Sequence, residues 1–210
     1  MDKRILGKSG LEVSAMGIGC WAIGGQFYFD GKIDGYGQTD DAESIRAVRS
    51  AVDLGINFID TADAYGIGHS EELLGEALTG IRDDVVLATK FGFLGNADTK
   101  TLQSVCIDPA YIERACDASL QRLRTDHIDL YQLHVGDISF SQYDPLIDAL
   151  ERLVAKGKIK SYGWSTDVPA AIRMIGANAN CSAIQHEFNL LTNADEILRL
   201  CRENHLAAIC

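Results

Sequence analysis

Four side chains of unlike chemistry stand at or just beyond the ends of apolar runs. They are Asp60 after Ile56-Asn57-Phe58-Ile59, Tyr65 in the loop that follows it, Lys90 after Val85-Val86-Leu87-Ala88-Thr89, and His134 after Leu130-Tyr131-Gln132-Leu133. A tyrosine hydroxyl has an unperturbed pKa near ~10 and alone is a poor proton donor-acceptor at neutral pH, whereas a neighbouring ammonium lowers that value. Lys90 is the group to do this, and Asp60 is a carboxylate to hold Lys90 charged and oriented. His134 is then a hydrogen-bonding partner for a substrate carbonyl oxygen or for the tyrosine. Protonating a carbonyl oxygen while hydride arrives at carbon is work that such a set suits. Each residue also has a plainer use: a capping or turn carboxylate, a half-buried aromatic, a snorkelling surface lysine and a structural histidine.

These residues act together only if the fold brings strand ends onto one rim. Seven β-branched runs, Val13–Cys20, Ile56–Asp60, Asp84–Lys90, His127–His134, Ile159–Ser165, Ser182–Glu187 and Leu206–Cys210, predict strands. Between them lie helical patterns at Asp40–Leu54, Ser70–Leu78, Pro109–Leu123, Pro145–Lys156, Pro169–Ile175 and Asn193–Glu203. Strand followed by helix implies parallel pairing, because a parallel pair needs a crossover. Pro109, Pro145 and Pro169 are placed at helix starts, where proline is tolerated, and Gly55 and Gly157 at left-handed caps. Ahead of the first unit, Lys3–Leu6 and Leu11–Val13 flank Gly7-Lys8-Ser9-Gly10 and predict a hairpin closing one end of the sheet.

Two parallel architectures have this cadence, an open doubly wound sheet and a closed barrel. Gly17-Ile18-Gly19-Cys20-Trp21-Ala22 has the G-x-G-x-x-A spacing of dinucleotide-binding open sheets, but Ile23–Phe29 behind it lacks helical order, so the match carries little weight. The prediction is an α/β fold, a (β/α)8 TIM barrel, whose complete form takes about 250 residues. This chain reaches its seventh strand at Ala207-Ala208-Ile209-Cys210, so residues 1–210 are expected to form one barrel domain, incomplete at its C-terminal end. Trp21, Phe27, Tyr28, Phe29 and Tyr36 read as an apolar lid on a substrate pocket or as a loop packing on itself. Asp63 reads as a loop-shaping carboxylate.

Composition narrows the function classes. With 19 basic and 30 acidic residues the net charge is −11, which together with the absence of a basic block disfavours nucleic-acid binding. Apolar stretches break well before the ~18 residues of a membrane-spanning helix, and Met1–Gly10 lacks the apolar core of a secretory signal. Cys20, Cys106, Cys116, Cys181, Cys201 and Cys210 form no C-x-x-C pair and read as thiols of a reducing, cytoplasmic protein. Cys20 reads as a packing residue. The five histidines show neither H-x-H nor H-E-x-x-H, so no metal site is expected.

The segment Gly55-Ile56-Asn57-Phe58-Ile59-Asp60-Thr61-Ala62-Asp63-Ala64-Tyr65-Gly66, followed by Ser70-Glu71-Glu72-Leu73-Leu74-Gly75, resembles the signature of the aldo-keto reductases. Ala88–Gly92, Asp129–His134 and Gly157–Ser165 resemble the family's next segments in order. This resemblance implies NADP(H)-dependent reduction of aldehydes or ketones, with Asp60, Tyr65, Lys90 and His134 as catalytic tetrad and Tyr65 as general acid. It implies that Ser165 and Gln185 hold or stack on the nicotinamide, with the backbone of Gly19, Cys20 and Trp21 beside it and Asp60 nearby. Thr166 stands where the family has Asn and offers one donor instead of two. The family's loop for the adenosine 2′-phosphate lies beyond the seventh strand, so NADP over NAD rests on the resemblance. It leaves open a nucleotide-binding regulatory subunit of reductase-like fold that partners membrane channels, and an inactive shortened reductase. The expected partner is a small-molecule carbonyl compound.

Overall fold

Alternating side chains on short β-branched runs can bury both faces only if helices cover one face and the strands curl over the other. The computed structural model, which describes residues 1–210, shows this solution. The chain opens with β1 (Lys3–Ile5) and β2 (Glu12–Ser14), an antiparallel hairpin, followed by β3 (Ile18–Gly19). Next come β4 (Phe27–Phe29), β5 (Lys32–Asp34), α1 (Asp41–Asp53), β6 (Phe58–Asp60), α2 (His69–Ala77) and β7 (Val86–Phe91). A second hairpin, β8 (Phe93–Asn96) and β9 (Thr101–Val105), precedes α3 (Pro109–Arg122), β10 (Ile128–Leu133), α4 (Phe140–Ala155) and β11 (Ile159–Ser165). The chain closes with α5 (Pro169–Ile175), β12 (Cys181–Gln185), α6 (Asp195–Glu203) and β13 (Ala207–Ile209). No helix is long and apolar enough to cross a membrane.

Seven strands pair in parallel in the order β13-β12-β11-β10-β7-β6-β3. The sheet curls far enough that β3 and β13, its two edges, line opposite sides of one cavity of about 370 Å³. This is the α/β barrel architecture with seven strands in place. Its larger core lies between sheet and helices, where Leu87, Phe91, Tyr131 and Leu133 meet Leu74, Ile112, Leu150 and Leu153. Its smaller core lies on the concave face, where Phe58, Val86, Ala88, Leu130 and Ala183 meet Leu6 and Val13 of the opening hairpin. The hairpin thus plugs the N-terminal end of the barrel, as expected. Gly7 permits it: at φ +52, a side chain there would start 2.0 Å from the Ser182 carbonyl oxygen. Lys8 completes the junction by donating to the carbonyls of Gly176 and Asn178 at 2.6 and 3.0 Å.

Three expectations need correction. The run Val13–Cys20 is two elements, because Ser14 turns the chain: its amide donates to Asn57 Oδ1, its hydroxyl to the Met16 carbonyl, and only Ile18–Gly19 joins the parallel sheet. Pro145 does not open a helix; α4 starts five residues earlier, where Ser139 and Gln142 form a reciprocal capping box. The carbonyl that Pro145 cannot serve belongs to exposed Ser141, which water can satisfy. The aromatic stretch after the first strand is not a loop packing on itself: 27–34 joins 93–105, which carried no assignment, in a four-stranded sheet of order β5-β4-β9-β8.

One buried ion pair ties the helical layer to the sheet. Glu71 of α2 has no exposure; its carboxylate accepts from Thr89 Oγ1 on β7 and from Arg122 Nε on α3, both at 2.6 Å. Replacing Arg122 by Met leaves that carboxylate buried without its cation and is expected to cost about 3 kcal/mol in urea unfolding. Adding Glu71→Gln to that variant is expected to restore part of the loss.

Candidate active site

The period-two alternation of parallel strands aims every second side chain into the barrel. In β6 this is Phe58 then Asp60, in β7 Val86, Ala88 then Lys90, in β10 Leu130 then Gln132, and in β12 Ala183 then Gln185. Apolar residues fill the lower layers, and four polar residues cap them at the C-terminal ends of the strands. The registers set Gln132 beside Lys90 and Asp60 beside Ala88, one inward-facing step below, from where its carboxylate meets the Lys90 ammonium.

Lys90 is the centre of this layer, at 1% exposure. Its ammonium donates to Asp60 Oδ2 at 2.7 Å, to the Thr61 carbonyl at 2.9 Å and to the Tyr65 hydroxyl at 3.2 Å. Burial disfavours its charge, yet Asp60 and then Tyr65 outweigh burial and hold the ammonium above its ordinary range. Lys90 thus touches both Asp60 and Tyr65, two of the residues that the sequence set beside it. Gln185 donates to Asp60 Oδ2 at 3.2 Å and accepts from Gln132 at 2.9 Å. The glutamines meet across β11 because the intervening residue is Gly163, where a side chain would lie 2.6 Å from the Ala183 carbonyl. Gln132 escaped sequence reasoning, although its place two residues before His134 on an apolar strand marks it as inward-facing.

Tyr65 sits in the β6–α2 loop and is fixed by backbone contact. Gly66 has φ +63, and a side chain there would come within 2.1 Å of the Gly24 carbonyl oxygen. The loop can press on the Ala22–Gly24 turn only because both residues are glycine. One expectation reverses here: Tyr65 is not lowered. Burial raises its pKa above the ordinary value, Lys90 pulls it back only in part, and Asp60 adds to the rise. The phenol therefore keeps its proton throughout the neutral range.

His134 follows β10, and its amide donates to the Phe91 carbonyl at 2.8 Å. Its ring meets the Tyr65 ring edge to face with centroids 5.7 Å apart, and its Nδ1 is buried without a partner. Burial, and then the Lys90 charge, lowers its pKa to about 3, so the imidazole is neutral. Asp63 donates its amide to the Lys90 carbonyl at 3.2 Å, and its Oδ1 is sealed without a partner. Burial, and then Glu71, holds its carboxyl well above the usual range.

A pocket of about 280 Å³ opens over Tyr65 and His134, walled by Trp21, Phe27, Phe29 and Phe93 and reached by Asp34. The aromatic stretch after the first strand thus contributes Trp21, Phe27 and Phe29 to a pocket wall. Tyr28 and Tyr36 stay outside that lining and are exposed.

The residues expected to hold a cofactor lie beside this layer. Gly19, Asp60 and Gln185 line the cavity between the sheet edges, and a side chain at Gly19 would meet nothing within 4 Å. Ser165, at the end of β11, is partly exposed. Cys20 is fully buried, and burial, then Asp60, raises its thiol far above the reactive range. Trp21 stacks on Tyr65 with centroids 6.2 Å apart. Thr166 is already engaged: its hydroxyl donates to the Gly136 carbonyl at 2.5 Å and accepts from the Val168 amide at 3.1 Å. The open face of Gly19, the Asp60 carboxylate and the Gln185 amide give this cavity a polar end whose donors and acceptors fit the carboxamide of a nicotinamide.

Because His134 is neutral when folded but takes a proton below its ordinary 6.5 when unfolded, folding weakens as pH falls from about 6.5 to about 3. The slope from this residue is at most about 1.4 kcal/mol per pH unit. Urea melts across this window are expected to show a shallower pH dependence in His134→Gln than in the unsubstituted chain.

Comparison with known proteins agrees with this geometry. The family model described as "Aldo/keto reductase family" matches residues 15–210. The chain is 36% identical over 212 residues to "Uncharacterized oxidoreductase YqkF" of Bacillus subtilis (strain 168), covering 100% of this chain and 63% of that relative. It is 35% identical over 214 residues to "Aldo-keto reductase YhdN" of the same organism, covering 100% of this chain and 61% of that protein. Among solved structures, the holo form of aldo-keto reductase AKR11C1 from Bacillus halodurans superposes with a TM-score of 0.87 at 35% identity, over 99% of this chain and 65% of that one. An aldo/keto reductase from Klebsiella pneumoniae in complex with NADP and acetate gives 0.76 at 28% identity, over 99% and 67%. The chain thus spans less than two thirds of the length of the curated relatives it matches.

Proposed function

The chain belongs to the aldo/keto reductase family, and from that premise we propose that it reduces aldehydes or ketones to alcohols with NADPH, using Tyr65 as the proton donor. The observation that carries this reading is the Tyr65 hydroxyl, 3.2 Å from a fully buried ammonium and facing a pocket it shares with His134. NADPH, when bound, supplies the hydride that reaches the carbonyl carbon. The Klebsiella relatives were solved with NADP and with NADPH, which supports that cofactor. Gly19, Gln185 and Ser165, with the backbone at Cys20 and Trp21, would hold its nicotinamide end, and Asp60 lies at the same polar end of the cavity.

In this reading the substrate oxygen lies between Tyr65 and His134. The phenol, kept protonated by burial, donates its proton as negative charge develops on that oxygen. The phenolate left behind is stabilised by the Lys90 ammonium at hydrogen-bond distance, and Asp60 keeps that ammonium charged and aimed. Neutral His134 offers a hydrogen bond without adding a second cation to the site. Trp21, Phe27 and Phe29 give the reacting carbonyl an apolar wall. The absence of a membrane-crossing helix and the six free thiols are in keeping with a cytoplasmic place of work.

The test is a titration with NADPH and NADH followed by a carbonyl screen read by NADPH absorbance. Tyr65→Phe removes only the proton donor and is expected to lower turnover at least about a hundredfold while cofactor binding persists. Unchanged turnover in that variant contradicts the assignment. Cofactor binding without turnover of any carbonyl compound favours a nucleotide-binding regulatory role instead.

A further inference from the structure

We propose that the pocket over Tyr65 selects carbonyl compounds bearing a cationic ammonium group at the end remote from the carbonyl, with Asp34 as the specificity-determining residue. This rests on the reading of Tyr65 as the reacting end of that pocket.

Five rings form a continuous arc around the cavity. Trp21 stacks on Tyr65 at 6.2 Å, Tyr65 meets His134 at 5.7 Å, His134 meets Phe93 at 5.7 Å, and Phe93 meets Phe29 at 5.7 Å. Asp34 also lines this cavity and is the one charged residue there, since His134 is neutral and Lys90 lies outside the lining, buried behind Tyr65. Asp34 lies opposite Phe27 in the β4–β5 register, and its Oδ1 accepts from the Gly35 amide at 2.8 Å. It belongs to no ion pair. Lys32, on the same strand face and opposite Phe29, is exposed and outside the lining.

Aromatic faces around one carboxylate are the chemistry that recognises an ammonium: the rings offer negative quadrupole faces and the carboxylate a full charge. The same cavity penalises an anionic substrate, because no cation in its lining can pair with a carboxylate. Catalytic and selecting charges are thus kept apart. Lys90 and Asp60 neutralise each other under the carbonyl end, while Asp34 stands on the separate four-stranded sheet.

The experiment is calorimetric titration, without cofactor, of the chain and of Asp34→Asn with three benzyl alcohols. Their 4-substituents are trimethylammonio, tert-butyl, which is its neutral isostere, and carboxylate. The unsubstituted chain is expected to bind the ammonium compound about tenfold tighter than the tert-butyl compound, with the carboxylate weakest. Asp34→Asn keeps an acceptor for the Gly35 amide and changes the net charge by one. It is expected to shrink the cation preference to about twofold while leaving tert-butyl binding unchanged, which also reports an intact pocket. Equal or tighter binding of the neutral compound, a preference that survives Asp34→Asn, or no binding of either compound overturns the proposal. Failure of the reductase reading is read separately, as absence of NADPH consumption with 4-tert-butylbenzaldehyde.

Discussion

A charged ammonium with almost no access to water is the constraint around which this chain is organised. Isolated in a protein interior, the Lys90 charge would be lost or would unfold its surroundings. It persists because β6 and β7 run in parallel with Asp60 beside Ala88, which sets the carboxylate within 2.7 Å, and because the backbone turns at Thr61 to offer a carbonyl. A shift of one residue in this register would turn Asp60 toward the helices and leave the ammonium without its counter-charge. Strand pairing and ionisation therefore specify each other.

The remaining architecture divides into support and recognition. Thr89, the residue before Lys90, points outward to Glu71 and through it to Arg122, so strand, second helix and third helix are locked just behind the ammonium. Inside the barrel, Gly163 leaves the space in which Gln132 and Gln185 join and bear on Asp60. The pocket above is built differently, from Trp21 and a small sheet made of two excursions between barrel elements. The polar layer thus stands on the barrel strands, and the pocket wall above it stands largely on the connections between them.

Much of the site was legible in the chain before folding. Asp60, Lys90 and His134 each end an apolar run, and a barrel collects such ends on one rim. The structure brings Lys90 and His134 against Tyr65, with Asp60 behind Lys90. The four-stranded sheet was not legible: its strands are three to five residues long, and Phe27–Phe29 pairs with a segment beyond Thr101 that is far along the sequence. Nor was the true start of α4, since Pro145 invited a helix beginning at itself while the capping box lay at Ser139.

What the sequence determined by itself is the alternation of strand and helix and the identity of the groups at the strand ends, because period, capping and turn chemistry act between near neighbours. Only the tertiary structure decided the direction in which Tyr65 titrates. The neighbouring ammonium argued for a lowered pKa, and burial supplied by Trp21, His134 and the pocket wall outweighs it. Desolvation depends on everything that surrounds a group, and those surroundings are assembled from residues 21 to 134, which no local pattern can sum.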